Sequence, residues 1–295
     1  MGYIDLHVHS RHSDGSLSVE EILELAYLNK VSVISFTEHY NLSSLRKAHK
    51  LVRTNKRYNN IEIVPGMEIG SSLKCYGMSK RHTCHFLAYY ISTKIYPVLN
   101  EYEEERKTTN VKIIEKLKEQ GMSISYNKVR DHSKKASFGR YDIARYIVKL
   151  GHAYTPEDAY AKYLDYGKIA HVERTKIPPE ELVRKIIKCG GVPVIAHPKS
   201  LRLNYKCLRA FLEPLVECGL CGIEINYPRM KLHELEIYKE ICNEFNLIGT
   251  AGSDFHKKSG DVEIGLGINN NLCVDDYSII TRLKERKHYI DYNKK

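Results

Sequence analysis

The sequence predicts an α/β protein built on a mainly parallel sheet and interrupted once by helices. Three observations predict it. Short apolar, β-branched runs alternate with helical patterns over most of the 295 residues. From about Asn100 to Lys176 the alternation stops and no convincing strand appears. Side chains of metal-ligand type recur at the downstream ends of the apolar runs, the place where parallel β/α folds gather catalytic groups.

The elements follow in order. Tyr3–Val8 opens the chain as a strand. Ser18-Val-Glu-Glu21 is a capping box, whose hydroxyl and carboxylate satisfy the free N–H groups of a helix start, so a helix runs from there to about Asn29. Val31–Phe36 is the second strand and Ser43–Arg57 the second helix; Ile61–Met67 and Cys84–Tyr90 are the third and fourth strands. Asn100–Gln120 reads as a long charged helix, and Gly139–Leu150 as an amphipathic one with Ile143, Ile147 and Leu150 on one stripe. Thr155-Pro-Glu-Asp158 starts a further helix with proline at its first position. Pro178-Pro179 opens a helix that ends near Cys189, with Gly190-Gly191 as its stop. Strands Val192–Ala196, Gly222–Asn226 and Leu247–Thr250 then alternate with helices Tyr205–Val216, Lys231–Glu244 and Asp275–Arg286.

Composition narrows the class. With 42% apolar and 28% charged residues, the chain is neither disordered nor membrane-embedded, and no stretch approaches the roughly 18 apolar residues of a span. Met1–Ser10 shows no secretory pattern, and Leu6 stands where a myristoylation signal at Gly2 would need Ser or Thr, so a cytoplasmic protein with reduced thiols is expected. Cys218 and Cys221 form a single C-x-x-C pair; a zinc ribbon needs two, so this pair reads as structural. The net charge of +10 is concentrated in Arg46–Arg57 and in Lys107–Lys149. Arg46, Lys50, Arg53 and Arg57 share one predicted helix face, which reads as a solvated surface and otherwise as a track for an RNA backbone.

The 14 histidines matter more by position than by number. His7, His9 and then Asp14 follow the first strand, and His39 follows the second; the third ends at Glu68 and the fourth carries His85. His197 ends the fifth, and Asp254 and His256 follow the seventh. Residues two apart in a strand point to one face, so His7 with His9, and Asp254 with His256 if the strand continues, can each aim at one point. Nine ligand-type groups exceed the four to six donors of one ion, so two or three metals are expected, with a carboxylate bridging two of them. The remaining histidines, His12 and His82 among them, are expected on the surface or in loops.

These motifs resemble one family. His7-Val-His9-Ser10 with Ser13-Asp14-Gly15, Thr-Glu-His39, Gly-Met-Glu68, Ala-His197-Pro and Gly-Ser-Asp254-Phe-His256 resemble the polymerase and histidinol phosphatase (PHP) family. The Phe138-Gly-Arg140 segment and Gly191-Val-Pro-Val-Ile-Ala-His197 look like its stand-alone, TrpH-like phosphoesterase branch. The resemblance implies a distorted seven-stranded β/α barrel formed by residues 1–100 and 177–295, with a helical insertion, 101–176, as a substrate cap. It implies one metal on His7, His9, Glu68 and Asp254, a second on Glu68, His85 and His197, and a third on Asp14, His39 and His256. The ions would be Mn²⁺, Fe²⁺ or Zn²⁺. The family usually has Asp before the third-site histidine and Asp or Asn after it; Glu38 and Tyr40 stand there, which puts the orienting hydrogen bond of His39 in question.

The activity implied is hydrolysis of nucleotide phosphate monoesters by a metal-bridging hydroxide. The substrate would be a nucleoside 3′,5′-bisphosphate, with 5′→3′ trimming of short RNA as a related activity. A phosphate that is held but not cleaved needs a cationic partner. Arg140 leads, because guanidinium binds phosphate with two parallel hydrogen bonds, followed by Lys199 and Arg202 and then by Lys168 and Arg145. Histidinol-phosphate phosphatase is the alternative; a C–N hydrolase of the amidohydrolase type and a non-catalytic scaffold fit the motifs less well.

Overall fold

The computed structural model describes residues 2–73, 83–134, 138–174, 177–257 and 262–293. Its chain divides into two compact units, Met1–Tyr96 with Ile177–Lys295, and Pro97–Lys176.

The first unit is built on two sheets. Strands β1 (Tyr3–Val8), β2 (Val31–Phe36) and β3 (Glu62–Ile63) form a parallel three-stranded sheet. Strands β4 (Glu68–Ser72), β5 (Thr83–Tyr89), β6 (Val192–Ile195), β7 (Gly222–Asn226) and β8 (Ile248–Ala251) form a five-stranded sheet in that order. Isolated parallel bridges, Val8 with Phe255 and His39 with Glu68, link the two sheets at both sides. Short β9 (Val262–Glu263) and β10 (Gly267–Ile268) pair antiparallel.

Two expectations are corrected. The sheet is mixed, because β5 runs antiparallel to both β4 and β6. The expected strand Ile61–Met67 is divided: β3 stops at Ile63, and Glu68 opens β4 instead of ending a strand. The sequence Val64-Pro65-Gly66 explains the break. Proline has no N–H for a ladder. At Gly66 the chain passes so close to β2 that a Cβ would lie 2.2 Å from the Ser35 hydroxyl. The segment then crosses between the sheets, with Val64 N bonded to Ile34 O and Ala88 N to Met67 O.

Helices cover the sheets. Helix α1 (Val19–Leu28) starts at the expected capping box, with Ser18 Oγ accepting from Glu21 N and the Glu21 carboxylate accepting from Ser18 N. Helix α2 (Ser43–Thr54) ends before Arg57, so the predicted four-cation stripe loses its last member to a following turn. That guanidinium pairs with Glu24 at 2.6 Å and lies over the Tyr27 ring. Along β1 the even residues Ile4, Leu6 and Val8 are buried among apolar side chains, which leaves Asp5, His7 and His9 on the opposite face.

The second unit is helical: α3 (Tyr96–Glu119, beginning one residue before the unit), α4 (Tyr126–Ser133), α5 (Arg140–Lys149), and α6 (Pro156–Ala159), which runs into a π turn at Tyr160–Leu164. Ile113, Leu117, Val129, Phe138, Ile143, Ile147 and Leu164 form its own core. In the first unit the chain resumes with α7 (Pro179–Lys188), α8 (Tyr205–Glu217), α9 (Leu232–Glu244) and α10 (Ser278–Tyr292). No helix among the described residues is long and apolar enough to cross a membrane. Cys218 and Cys221 are free thiols. His12 is exposed; His82 and the proposed boundary residue Lys176 lie outside the described residues.

Candidate metal centre

All nine expected ligand residues meet in the first unit, in three groups. His7, His9, Glu68 and Asp254 form one; Glu68, His85 and His197 a second; His9, Asp14, His39 and His256 a third. Within each group the nitrogen and oxygen donors lie within 4.8 Å of one another. His9 belongs to the third as well as the first, a sharing that goes beyond the expected sets.

Glu68 is the hinge of the arrangement. Its carboxylate is 1% exposed. Oε1 lies 2.7 Å from His85 Nδ1 and 3.1 Å from His197 Nε2. Oε2 lies 3.1 Å from His9 Nε2, 3.4 Å from His7 Nε2 and 3.4 Å from His39 Nδ1. One carboxylate thus meets five imidazoles. It can do so because β4 begins at Glu68 and the His39–Glu68 bridge draws the end of the β2 segment alongside.

The donor chemistry fits divalent ions. His7 Nε2 and His9 Nε2 face each other at 3.1 Å. Two imidazole nitrogens in that position repel unless a proton or a cation lies between them, and N/O donor sets of this kind suit Mn²⁺, Fe²⁺ and Zn²⁺. Second partners orient several of the rings: His197 Nδ1 meets Ser200 Oγ at 2.9 Å, and His256 Nδ1 donates to Asp254 O at 2.9 Å.

The centre is graded from interior to surface. His7 and His9 are fully buried, whereas the side chains of His39, His256 and Asp14 are 24%, 33% and 54% exposed. Burial alone would push the His7 imidazole down, but Glu224, Asp254 and Glu68 outweigh it and raise it well above the histidine range. His9 is opposed by burial in the same way and is lifted to about 9 by Asp254 and Glu68. Burial would raise the Asp14 carboxyl, yet His256 and His39 hold it well below the carboxylate range.

Asp254 and His256 do not aim at one point. The strand ends at Ala251, and Asp254 adopts a left-handed backbone with φ 53°. The turn sends Asp254 Oδ1 to His7 and His9 at 3.3 and 3.4 Å and His256 Nε2 to Asp14 at 3.4 Å. Glu38, the residue before His39, bonds the loop that follows β1. Its carboxylate accepts from Ser10 N at 3.2 Å, Ser10 Oγ at 2.5 Å and Ser13 Oγ at 2.5 Å, which fastens the loop leading to Asp14. The Tyr40 hydroxyl accepts from Gly70 N at 3.1 Å.

Two residues that sequence reasoning passed over support the centre. Asp5 is buried, accepts from Ser253 N and Gly265 N, and is raised to about 6 by burial. Glu224, buried in β7, meets His7 Nδ1 at 3.1 Å and accepts from His197 N at 2.7 Å. The available signal was a charged residue inside the apolar strand Gly-Ile-Glu-Ile-Asn.

The proposed phosphate partners are divided between the two units. Lys199 Nζ is held by Glu234 at 2.7 Å and by the Arg229 carbonyl at 3.1 Å, while Arg202 is exposed. In the helical unit, Arg140 opens α5 and donates to the Val172 carbonyl, its Nε buried without a hydrogen-bond partner. Arg145 is exposed over the Tyr141 ring, and Lys168 is exposed.

A mixed α/β scaffold carrying three imidazole–carboxylate clusters has the donor chemistry of a metal-dependent hydrolase. The PHP domain model matches residues 5–166, more than half of the chain, and the protein belongs to the PHP domain family. Among its relatives, a 5′-3′ exoribonuclease of Haemophilus influenzae is 27% identical, over 90% of this chain and 94% of the relative. A phosphoribosyl 1,2-cyclic phosphate 1,2-diphosphodiesterase of Eggerthella lenta is 28% identical over 88% and 95%. A 3′,5′-nucleoside bisphosphate phosphatase of Chromobacterium violaceum is 25% identical over 87% and 88%. A crystal structure from Bifidobacterium adolescentis shares the fold, with a TM-score of 0.69 and 22% identity over 96% of each chain.

Proposed function

We propose that this chain is a metal-dependent phosphoesterase that removes phosphate from nucleotides. Nucleoside 3′,5′-bisphosphates are the preferred substrates, and short 5′-phosphorylated RNA is trimmed by the same centre. The observation that carries the proposal is the Glu68 carboxylate, with one oxygen among His85 and His197 and the other among His7, His9 and His39. Such an arrangement suits two ions bridged by Glu68, with a third held by Asp14, His39 and His256. The two linked sheets are read as a distorted β/α barrel, which would explain why the ligand-bearing ends converge.

Bound divalent ions supply Lewis acidity and lower the pKa of coordinated water. The chain's own residues set the geometry. Glu68 fixes the spacing of two clusters, Asp254 and Asp14 add negative charge on either side, and the Ser10–Glu38–Ser13 clamp keeps the Asp14 loop in place. A second phosphate needs a guanidinium, and Arg140 remains the first proposal, ahead of Arg202 and Lys199 and of Arg145 and Lys168. The relatives that act on a nucleoside bisphosphate and on RNA support the substrate class.

The test is phosphate release with Mn²⁺ from adenosine 3′,5′-bisphosphate, short 5′-phosphorylated RNA, histidinol phosphate and phosphoribosyl 1,2-cyclic phosphate. Turnover of the first two is expected to exceed that of the others by at least about tenfold, roughly 1.4 kcal/mol of discrimination. Activity confined to histidinol phosphate or to the cyclic phosphate would overturn the substrate assignment.

A further inference from the structure

Of the seven strands expected from the sequence, only Gly222–Asn226, β7 in the structure, carries no expected ligand, yet its one acid sits at the back of the metal centre. Glu224 is 0% exposed, and among the described residues its hydrogen-bond partners are the His7 ring and the His197 N–H. Burying a carboxyl group is unfavourable unless hydrogen bonds satisfy it. What holds it there is contact with two ligand histidines.

The first contact concerns a tautomer. Glu224 Oε1 and Oε2 lie 3.1 and 3.3 Å from His7 Nδ1. A carboxylate only accepts, so the proton belongs on Nδ1. Nε2 faces His9, Asp254 and Glu68 at 3.1, 3.3 and 3.4 Å, and it would offer its lone pair there to a cation bound in place of the second ring proton. The second contact concerns the backbone. His197 stands at φ 27°, ψ 62°, a region that a residue with a β-carbon adopts only under strain. Its N–H donates to Glu224 Oε2 at 2.7 Å, and the turn so held aims Nε2 at Glu68 Oε1, 3.1 Å away. Gly252 makes room for both: a Cβ there would lie 2.8 Å from Glu224 Oε1 and 2.3 Å from His7 Cβ.

We propose that Glu224 is the positioning residue of the metal centre, one carboxylate that sets the His7 tautomer and the His197 backbone and so couples the two clusters that share Glu68. The inference rests on the metal-centre reading and deepens it.

The test compares full-length wild-type protein with Glu224→Gln and Glu224→Asp. Each is stripped with chelator and then titrated with Mn²⁺ in a calorimeter, and the melting temperature of the stripped form is recorded. Glutamine keeps the volume but offers one acceptor. If its oxygen serves His197 N, its NH₂ donates to His7 Nδ1 and drives the proton onto Nε2, which takes that lone pair out of the cluster. Mn²⁺ affinity is expected to fall about 10–100-fold in Glu224→Gln while the stripped protein melts no lower than wild type. Glu224→Asp, with two acceptor oxygens, is expected to recover part of the affinity. Unchanged Mn²⁺ binding in Glu224→Gln would overturn the inference. So would loss of binding in both variants accompanied by a lower melting temperature of the stripped form, the mark of a merely structural role. Wild-type protein that takes up no Mn²⁺ would overturn the metal-centre reading itself, a result distinguishable from either of these.

Discussion

Glu68→Gln isolates the feature on which the centre depends. The change is nearly isosteric, so packing around a 1% exposed side chain is kept. It removes the negative charge and one of two acceptor oxygens. With the amide oxygen turned towards His85 and His197, the NH₂ faces His7, His9 and His39; with the reverse flip, it faces the other pair. In either orientation one of the two clusters containing Glu68 loses its oxygen donor and the other keeps only a neutral amide oxygen, while the third, of His9, Asp14, His39 and His256, keeps all its donors. Metal content is therefore expected to drop by about one to two ions per chain, because donor sets so depleted hold divalent ions poorly. Turnover is expected to fall at least about 10³-fold, the scale of losing roughly 4 kcal/mol of transition-state stabilisation. Plasma mass spectrometry of Mn²⁺-loaded, desalted protein gives the count, and phosphate release gives the rate. A variant that keeps the wild-type metal count and turns over within about tenfold of wild type would refute the reasoning.

Two further substitutions probe local claims. Gly252→Ala places a methyl group against the His7 backbone and Cβ, where no flexible end can yield, and is expected to cost about 1–3 kcal/mol in urea unfolding and to weaken Mn²⁺ binding together with it; unchanged stability would show that the β8–β1 approach is looser than described. Ser18→Ala removes the cap of α1, a side chain outside the nine-residue ligand set, and is expected to cost about 1 kcal/mol in urea unfolding with turnover unaltered.

The convergence of the nine candidate residues was legible because they stand at successive strand ends, which chain order and strand parity mark locally. His7 and His9 needed only the two-residue repeat of a strand. The route of β4 and β5 was less legible, since strand direction depends on which edge a segment reaches after Pro65-Gly66, and periodicity carries no direction. Asp254 and His256 parted because Asp254 takes a left-handed turn, a conformation to which a non-glycine sequence gives little clue. Glu224 was missed for the opposite reason. Its neighbours Ile223 and Ile225 mark a buried strand, and a buried acid has meaning only once its partners, 217 and 27 residues away, are known. The C-terminal end of α2 shows the limit of helical spacing. Arg57 has the right interval for the basic stripe, but Asn55 adopts an extended backbone and turns the chain away.

The central claim is that this PHP-family centre hydrolyses nucleotide phosphates through bound metal. Adenosine 3′,5′-bisphosphate incubated with Mn²⁺-loaded protein, with products separated by chromatography, tests it most directly. One phosphate per adenosine monophosphate formed is expected, with loss of the reaction on chelation and recovery when Mn²⁺ is returned. No phosphate release, or release that chelation leaves untouched, would contradict it.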